Sequence, residues 1–259
     1  MLKRILHFAY GLASYALFLG TFLYALAFVG GCPLVANRLD GPLSGSLASA
    51  IAVNCALLAL FAVQHSVMAR PWFKERWTQM IPWAIERSTY VLASSLALLL
   101  LIWQWRPIGI EIWSVENPVG RIALWAAFAI GWGMVLVSTF LINHFDLFGL
   151  RQVTLPLLGR PYTPVSFRTP WLYRQIRHPL YVGWLLAFWA TPTMTLAHLL
   201  FAIATTAYIL LAIQFEERDL VTEHGKSYED YRQKVPMLIP GLKPRRKETK
   251  ELKGTVTFN

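Results

Sequence analysis

The chain has 259 residues, of which 56% are hydrophobic and 15% charged, with 24 Lys and Arg against 14 Asp and Glu and a net charge of +10. A soluble domain usually carries about 25% charged residues, so the composition excludes an ordinary soluble exterior, and its hydrophobicity excludes intrinsic disorder. Two cysteines, Cys32 and Cys55, are too few for a disulfide framework or a structural zinc site.

Five runs free of Asp, Glu, Lys and Arg organise the chain: residues 5–37, 41–69, 88–105, 122–145 and 178–215. A spanning helix needs about 20 apolar residues, so the first four predict one helix each, at 7–29, 44–68, 88–104 and 122–143. The first apolar stretch is too long for a signal-peptide core, and Gly30-Gly31-Cys32-Pro33 after it reads as a turn rather than a cleavage site. The fifth run is interrupted by Thr191-Pro192-Thr193 and predicts a helical hairpin with a short arm at 179–190 and a longer one at 194–215. The expected fold is an all-α integral membrane protein of five to six transmembrane helices. Scaffold helices occupy 1–145, a cofactor-binding region with the hairpin 146–240, and a basic tail around Lys243-Pro244-Arg245-Arg246-Lys247 occupies 241–259.

Of the 24 Lys and Arg, 21 fall in the segments 1–4, 69–87, 143–178 and 216–259, and only Arg38, Arg106 and Arg121 fall in the alternate loops. With an even number of crossings this bias predicts that both termini are cytoplasmic. The positive charge is therefore a signal of topology and of contact with a lipid bilayer, and no nucleic-acid partner is expected.

Chemistry concentrates in the last third. In Arg177-His178-Pro179-Leu180-Tyr181, Pro179 suits the first turn of a helix, placing Arg177 and His178 at a helix N-terminus that favours anions. A membrane-entry anchor explains the same residues. Glu216-Glu217 is read as ending the long arm, where the helix dipole disfavours carboxylates, so a compensating cation or ligand is expected; ordinary interfacial charge partnered by Arg218 is the alternative. The hairpin brings the two elements together. A zwitterion with a diol suits them, and S-adenosylmethionine is one, with Val235-Pro236-Met237-Leu238-Ile239-Pro240 as a shelf for its adenine.

His65, His144 and Asp146 are the candidate catalytic residues. Asp146 could orient His144 as a carboxylate orients a catalytic imidazole, although the pair also reads as a cap of the fourth helix. A hydrogen-bonded histidine between helices explains His65 equally well. No His, Cys and carboxylate grouping has metal-ligand spacing, so no metal is expected.

The ordered set Arg177 to Trp184, Glu216 to Leu220 and His224 to Pro240, with Thr169-Pro170-Trp171-Leu172-Tyr173 upstream, resembles the C-terminal signature of the isoprenylcysteine carboxyl methyltransferase superfamily. The resemblance implies S-adenosylmethionine bound by Tyr173, His178, Tyr181 and Glu216, with Glu217 as neighbour, and an acceptor arriving through the membrane. Two positions depart from the superfamily's prenylcysteine enzymes: Trp171 stands where Gly is usual, and Ala212 where an Arg faces the substrate carboxylate. Gln64 to Arg70 and Asn143 to Gln152 are similar to a bacterial branch, the membrane methanethiol S-methyltransferases, and to NnrU-type proteins. That branch implies a small-molecule thiol acceptor and a bacterial inner membrane. A prenylcysteine or lipid acceptor, or a non-catalytic membrane role, are the alternatives.

Overall fold

A computed structural model describes residues 1–242; the basic tail expected from Lys243 onward lies outside the described residues. The helices in chain order are α1 (Leu2–Val29), α2 (Leu47–Ala69), α3 (Pro71–Trp77), α4 (Trp83–Gln104), α5 (Pro118–Ile142), α6 (His144–Leu147), α7 (Leu150–Leu157), α8 (Pro179–Trp189), α9 (Leu196–His224) and α10 (Lys226–Lys234). Five of them, α1, α2, α4, α5 and α9, are long and apolar enough to cross a membrane, and α8 is a sixth apolar helix of only 11 residues. The chain is a multi-pass membrane protein.

Local chemistry sets the helix starts. Ser46 caps α2 by accepting from Ser49 N–H, Asn117 caps α5 by accepting from Gly120 N–H, and Pro118 and Pro179 occupy the first turns of α5 and α8. One expected boundary is corrected. The apolar run stops at Phe215, but α9 continues to His224, so Glu216 and Glu217 lie about two turns inside the helix rather than at its end. The break at Thr191-Pro192-Thr193 also has structure the sequence did not reveal. There β2 (Thr193–Thr195) pairs antiparallel with β1 (Glu111–Ser114), joining the hairpin tip to the connection between α4 and α5.

The six apolar helices form a ring. α1 packs on α4, α4 on α2, α2 on α9, α9 on α8 and α8 on α5, and α5 returns to α1 through Phe22 against Trp132, with His144 of α6 against Tyr15 beside it. The half of the ring nearer the β1–β2 ribbon is filled by an aromatic circuit. Phe28 meets Trp105, Trp105 meets Phe201, Phe201 meets Phe188, Phe188 meets Trp184, Trp184 meets Trp132, and Trp132 meets Phe22 on the starting helix. Most of these contacts are edge to face, the arrangement favoured by the ring quadrupoles.

α5 and α8 approach closely because glycine faces glycine. A Cβ on Gly183 would sit 2.8 Å from Gly131 O and 2.8 Å from Val135 N, a small-residue crossing of the kind that brings membrane helices together. Gly183→Val is therefore expected to lower the unfolding free energy in detergent by about 1–3 kcal/mol or more, whereas Gly133→Ala, with nothing within 4 Å of the added carbon, leaves thermal unfolding nearly unchanged.

Candidate functional site

The half of the ring facing α10 is polar, and Glu217 is its anchor. Its carboxylate is buried, at 8% exposure. His178 Nε2–H donates to Glu217 Oε1 at 3.1 Å, and Arg177 Nε lies 2.8 Å from the same oxygen, an ion contact whose angle leaves that N–H without a hydrogen bond. For Glu217 the compensating cation expected beside the carboxylate pair is thus the chain's own Arg177. Arg177 is further committed through Nη1, which donates to Arg232 O at 2.6 Å and Val235 O at 3.0 Å.

Glu216 differs. Its side chain is 43% exposed, and its one hydrogen bond among the described residues comes from Tyr181 O–H at 2.8 Å. Tyr173, in the short 3₁₀ turn Trp171–Arg174, has its phenol pushed above the ordinary range, first by burial and then by the Glu216 carboxylate. It stays protonated at neutral pH and is available as a donor. The six residues Tyr173, Arg177, His178, Tyr181, Glu216 and Glu217 therefore converge where the two hairpin arms open.

The chain after α10 completes this mouth. Arg177 N–H donates to Pro236 O and His178 N–H to Met237 O, and Tyr231 O–H donates to Tyr173 O. The side chains of this segment, however, also line a groove along α8 that does not include Tyr181. Pro236 to Ile239 and Leu242 line an apolar groove of about 670 Å³ with Val182, Leu185, Leu186 and Leu124, and the segment is joined to the mouth through its backbone.

The candidate catalytic residues separate. His144 is buried at the seam of α1 and α5, with Nε2 2.8 Å from Tyr15 Oη and Nδ1 2.8 Å from Thr139 Oγ1. Burial lowers its pKa, leaving it neutral. Asp146 is not its partner: the carboxylate takes Arg151 Nη1 at 3.1 Å and Tyr162 O–H at 3.4 Å. His65 is a half-buried residue of the ring interior, stacked on Phe61, with its nitrogens 2.9 and 3.1 Å from Tyr90 Oη and Nδ1 3.1 Å from Ser94 Oγ. Next to it, Ser66 O–H donates to Tyr208 Oη on α9.

Sequence reasoning missed Tyr90, Tyr208 and Arg232. The two tyrosines sit in uncharged runs where aromatics ordinarily fill the membrane. Arg232, 41% exposed and 3.9 Å from Glu217, is one of many basic residues in its segment. Spacing does contain one clue: Tyr208, Ala212 and Glu216 recur every four residues and share a helix face.

Fold and site together describe a polytopic helical membrane protein with a buried charged cluster at one membrane face. The chain is 57% identical over 239 residues to the methanethiol S-methyltransferase of Crocosphaera subtropica, covering 92% of this chain and 93% of the relative. Against the methanethiol S-methyltransferase of Mycobacterium tuberculosis the identity is 56%, covering 92% of this chain and 98% of the relative. Methanethiol S-methyltransferase 2 of Bradyrhizobium diazoefficiens is 53% identical, with 95% of each chain covered. No family model and no solved structure matches the chain. The chain belongs to the methanethiol S-methyltransferase family.

Removing one partner of a buried ion pair typically costs about 3–5 kcal/mol because the other charge is left stranded. Glu217→Gln is accordingly expected to destabilise the protein by roughly that amount, whereas Glu216→Gln, at a half-exposed carboxylate with one hydrogen bond, changes thermal unfolding little. Equal losses in the two variants would contradict the division of labour between the carboxylates.

Proposed function

We propose that the chain transfers a methyl group from S-adenosylmethionine to methanethiol, releasing dimethyl sulfide, at the mouth of the α8–α9 hairpin. The convergence of Tyr173, His178, Tyr181 and Glu216 carries the reading, and relatives of that name along nearly the whole chain support it. From the distribution of Lys and Arg we infer that the mouth faces the cytoplasm of a bacterial cell, with the protein in the inner membrane.

The donor set fits the methyl donor. Glu216 keeps lone pairs free for hydroxyl or ammonium donors, and Tyr173 and Tyr181 supply phenols. Arg177 is committed to Glu217 and two carbonyls, so Arg232 is the better partner for a ligand carboxylate. Bound there, S-adenosylmethionine supplies an electrophilic methyl group on a sulfonium. The chain's residues do the rest: Glu217 with Arg177 and His178 holds the two arms in register, and the aromatic circuit keeps water from the interior beyond them. Trp132 Nε1, buried and without a partner among the described residues, is a donor suited to a thiolate.

Ala212 favours a small acceptor. It lies one turn from both Tyr208 and Glu216 on the inner face of α9, so no cation stands there for a substrate carboxylate. A thiol must still lose its proton, and a free Cys thiol titrates at about 8.5. His65, in the ring interior beside Tyr90 and Ser94, suits this task better than His144, which lies in the α1–α5 seam against Tyr15 and Thr139.

Headspace chromatography of purified protein with S-adenosylmethionine and methanethiol is expected to detect dimethyl sulfide; methyl transfer to a prenylcysteine or lipid without it would reassign the acceptor. His65→Ala is expected to lower kcat about 10²–10⁴-fold with unchanged cofactor affinity. Because rising pH ionises the thiol unaided, activity of this variant should recover partly toward pH 9. His144→Ala should keep the wild-type pH profile, and the reverse pattern would return the proton to His144.

A further inference from the structure

A second polar cavity lies away from the hairpin mouth but toward the same membrane face. It is enclosed by α3, the start of α4 and the α5–α7 connection, has a volume of about 320 Å³, and is lined by Lys74, Trp83, Glu86, Arg87, Asp146 and Tyr162. Small-ligand pockets start near roughly 300 Å³, so the space suits a compact polar group.

Of its charged residues Asp146 is paired, with Arg151 at 3.1 Å; among the described residues the other three, Lys74, Glu86 and Arg87, make no ion pair. Arg87 donates through Nε to Leu147 O at 2.8 Å and lies with its guanidinium carbon 5.1 Å from the centre of the Tyr90 ring, leaving its terminal nitrogens free. Lys74 is half-buried, and its pKa is lowered first by burial and then by Arg87. Glu86 and Asp219 offset part of that lowering, but among the described residues neither pairs with Lys74 or Arg87, so an anion seated between the two cations would relieve their repulsion. Gln152, 7% exposed, also lines the cavity, and its Oε1 has no partner among the described residues, whereas buried polar atoms are normally satisfied.

The walls say which anion. Ile142 and Leu147 form an apolar side. Ile142 is 45% exposed and Trp83 50% exposed at the ends of two spanning helices, where lipid headgroups meet the protein. A free anion has no use for that side; an anion carrying acyl chains does. Glu86, together with the aromatic pair Trp83 and Tyr162 at 4.7 Å, suits an ammonium at the other end of the same group.

We propose that this cavity binds a phosphoethanolamine headgroup of a membrane phospholipid, its phosphate on Lys74 and Arg87 and its ammonium on Glu86 beside Trp83 and Tyr162. The site is independent of the proposed reaction in its chemistry and coupled to it in space, since Arg87 lies over Tyr90 and Tyr90 meets His65.

The test uses the purified full chain in detergent, titrated with dioctanoyl phosphatidylethanolamine, dioctanoyl phosphatidylglycerol and inorganic phosphate and read by native mass spectrometry. The phosphatidylethanolamine is expected to bind one to one, with affinity falling about tenfold in Lys74→Gln and again in Glu86→Gln, as for loss of a hydrogen bond to a charged group. Cofactor binding at the hairpin mouth should be unchanged in both variants, which establishes that they are folded. Phosphatidylglycerol should bind the wild type more weakly and be indifferent to Glu86→Gln. Saturation by inorganic phosphate with the same dependence on Lys74 would assign the cavity to a soluble anion and overturn the lipid. Binding of phosphatidylethanolamine that neither variant changes, or no binding at all, would overturn the site itself.

Discussion

One buried carboxylate ties the functional half of the molecule together. Glu217 lies inside α9, and its partners Arg177 and His178 lie at the start of α8, so the contact sets where the two arms of the hairpin stand relative to each other. Arg177 extends the constraint outward, because its other donors hold the carbonyls of Arg232 and Val235. The start of α8, the middle of α9 and the chain beyond α10 are thereby fixed around a single ionised group. Burying the Glu217 and Arg177 charges is expensive, and the arrangement holds only while the two are paired. Glu216, one residue earlier, needs no such rescue and keeps its carboxylate half-exposed, which is why it rather than Glu217 is suited to a ligand.

The ring divides into two halves with opposite solvation. Toward the β1–β2 ribbon, a closed circuit of aromatic side chains fills the interior. Toward α10, the same helices present Tyr90, His65, Tyr208, Tyr181 and Glu216. A reaction that brings together a thiolate and a sulfonium removes two charges, and the boundary between a dry half and a polar half suits it. Arg70 reinforces the boundary on the α2 side, pairing with Asp219 at 3.0 Å and lying over Phe215.

Much of this was legible in the sequence. Uncharged runs located all six apolar helices because length and apolarity are what a bilayer selects, and the Pro179 start of α8 followed from helix-capping chemistry. The helix ends were less legible. Charge ends a hydrophobic run but does not end a helix, so α9 runs past its last apolar residue and α4 begins at Trp83, before Glu86 and Arg87. Arg177, His178, Glu216 and Glu217 were expected together because a hairpin joins a helix start to a carboxylate pair; Tyr173 was expected only from the family resemblance. Asp146 was misjudged as a partner of His144 for a physical reason: closeness in sequence brought them to one short helix, but Arg151 and Tyr162 reach the carboxylate from residues further along the chain. Tyr90 and Tyr208 were hidden because a tyrosine whose hydroxyl serves a polar interior is written identically to one that fills a membrane interface.

The central claim is that the hairpin mouth, and not the cavity beside α3 or the groove along α8, holds the methyl donor. Photo-crosslinking the purified protein with an azido-adenosyl analogue of S-adenosylmethionine, followed by peptide mapping, addresses it directly. The account predicts label confined to the peptides containing residues 171–184, 208–220 and 228–238, displaced by S-adenosylmethionine and lost in Glu216→Gln. Displaceable label on 71–87 or 143–165 in place of those peptides would contradict it.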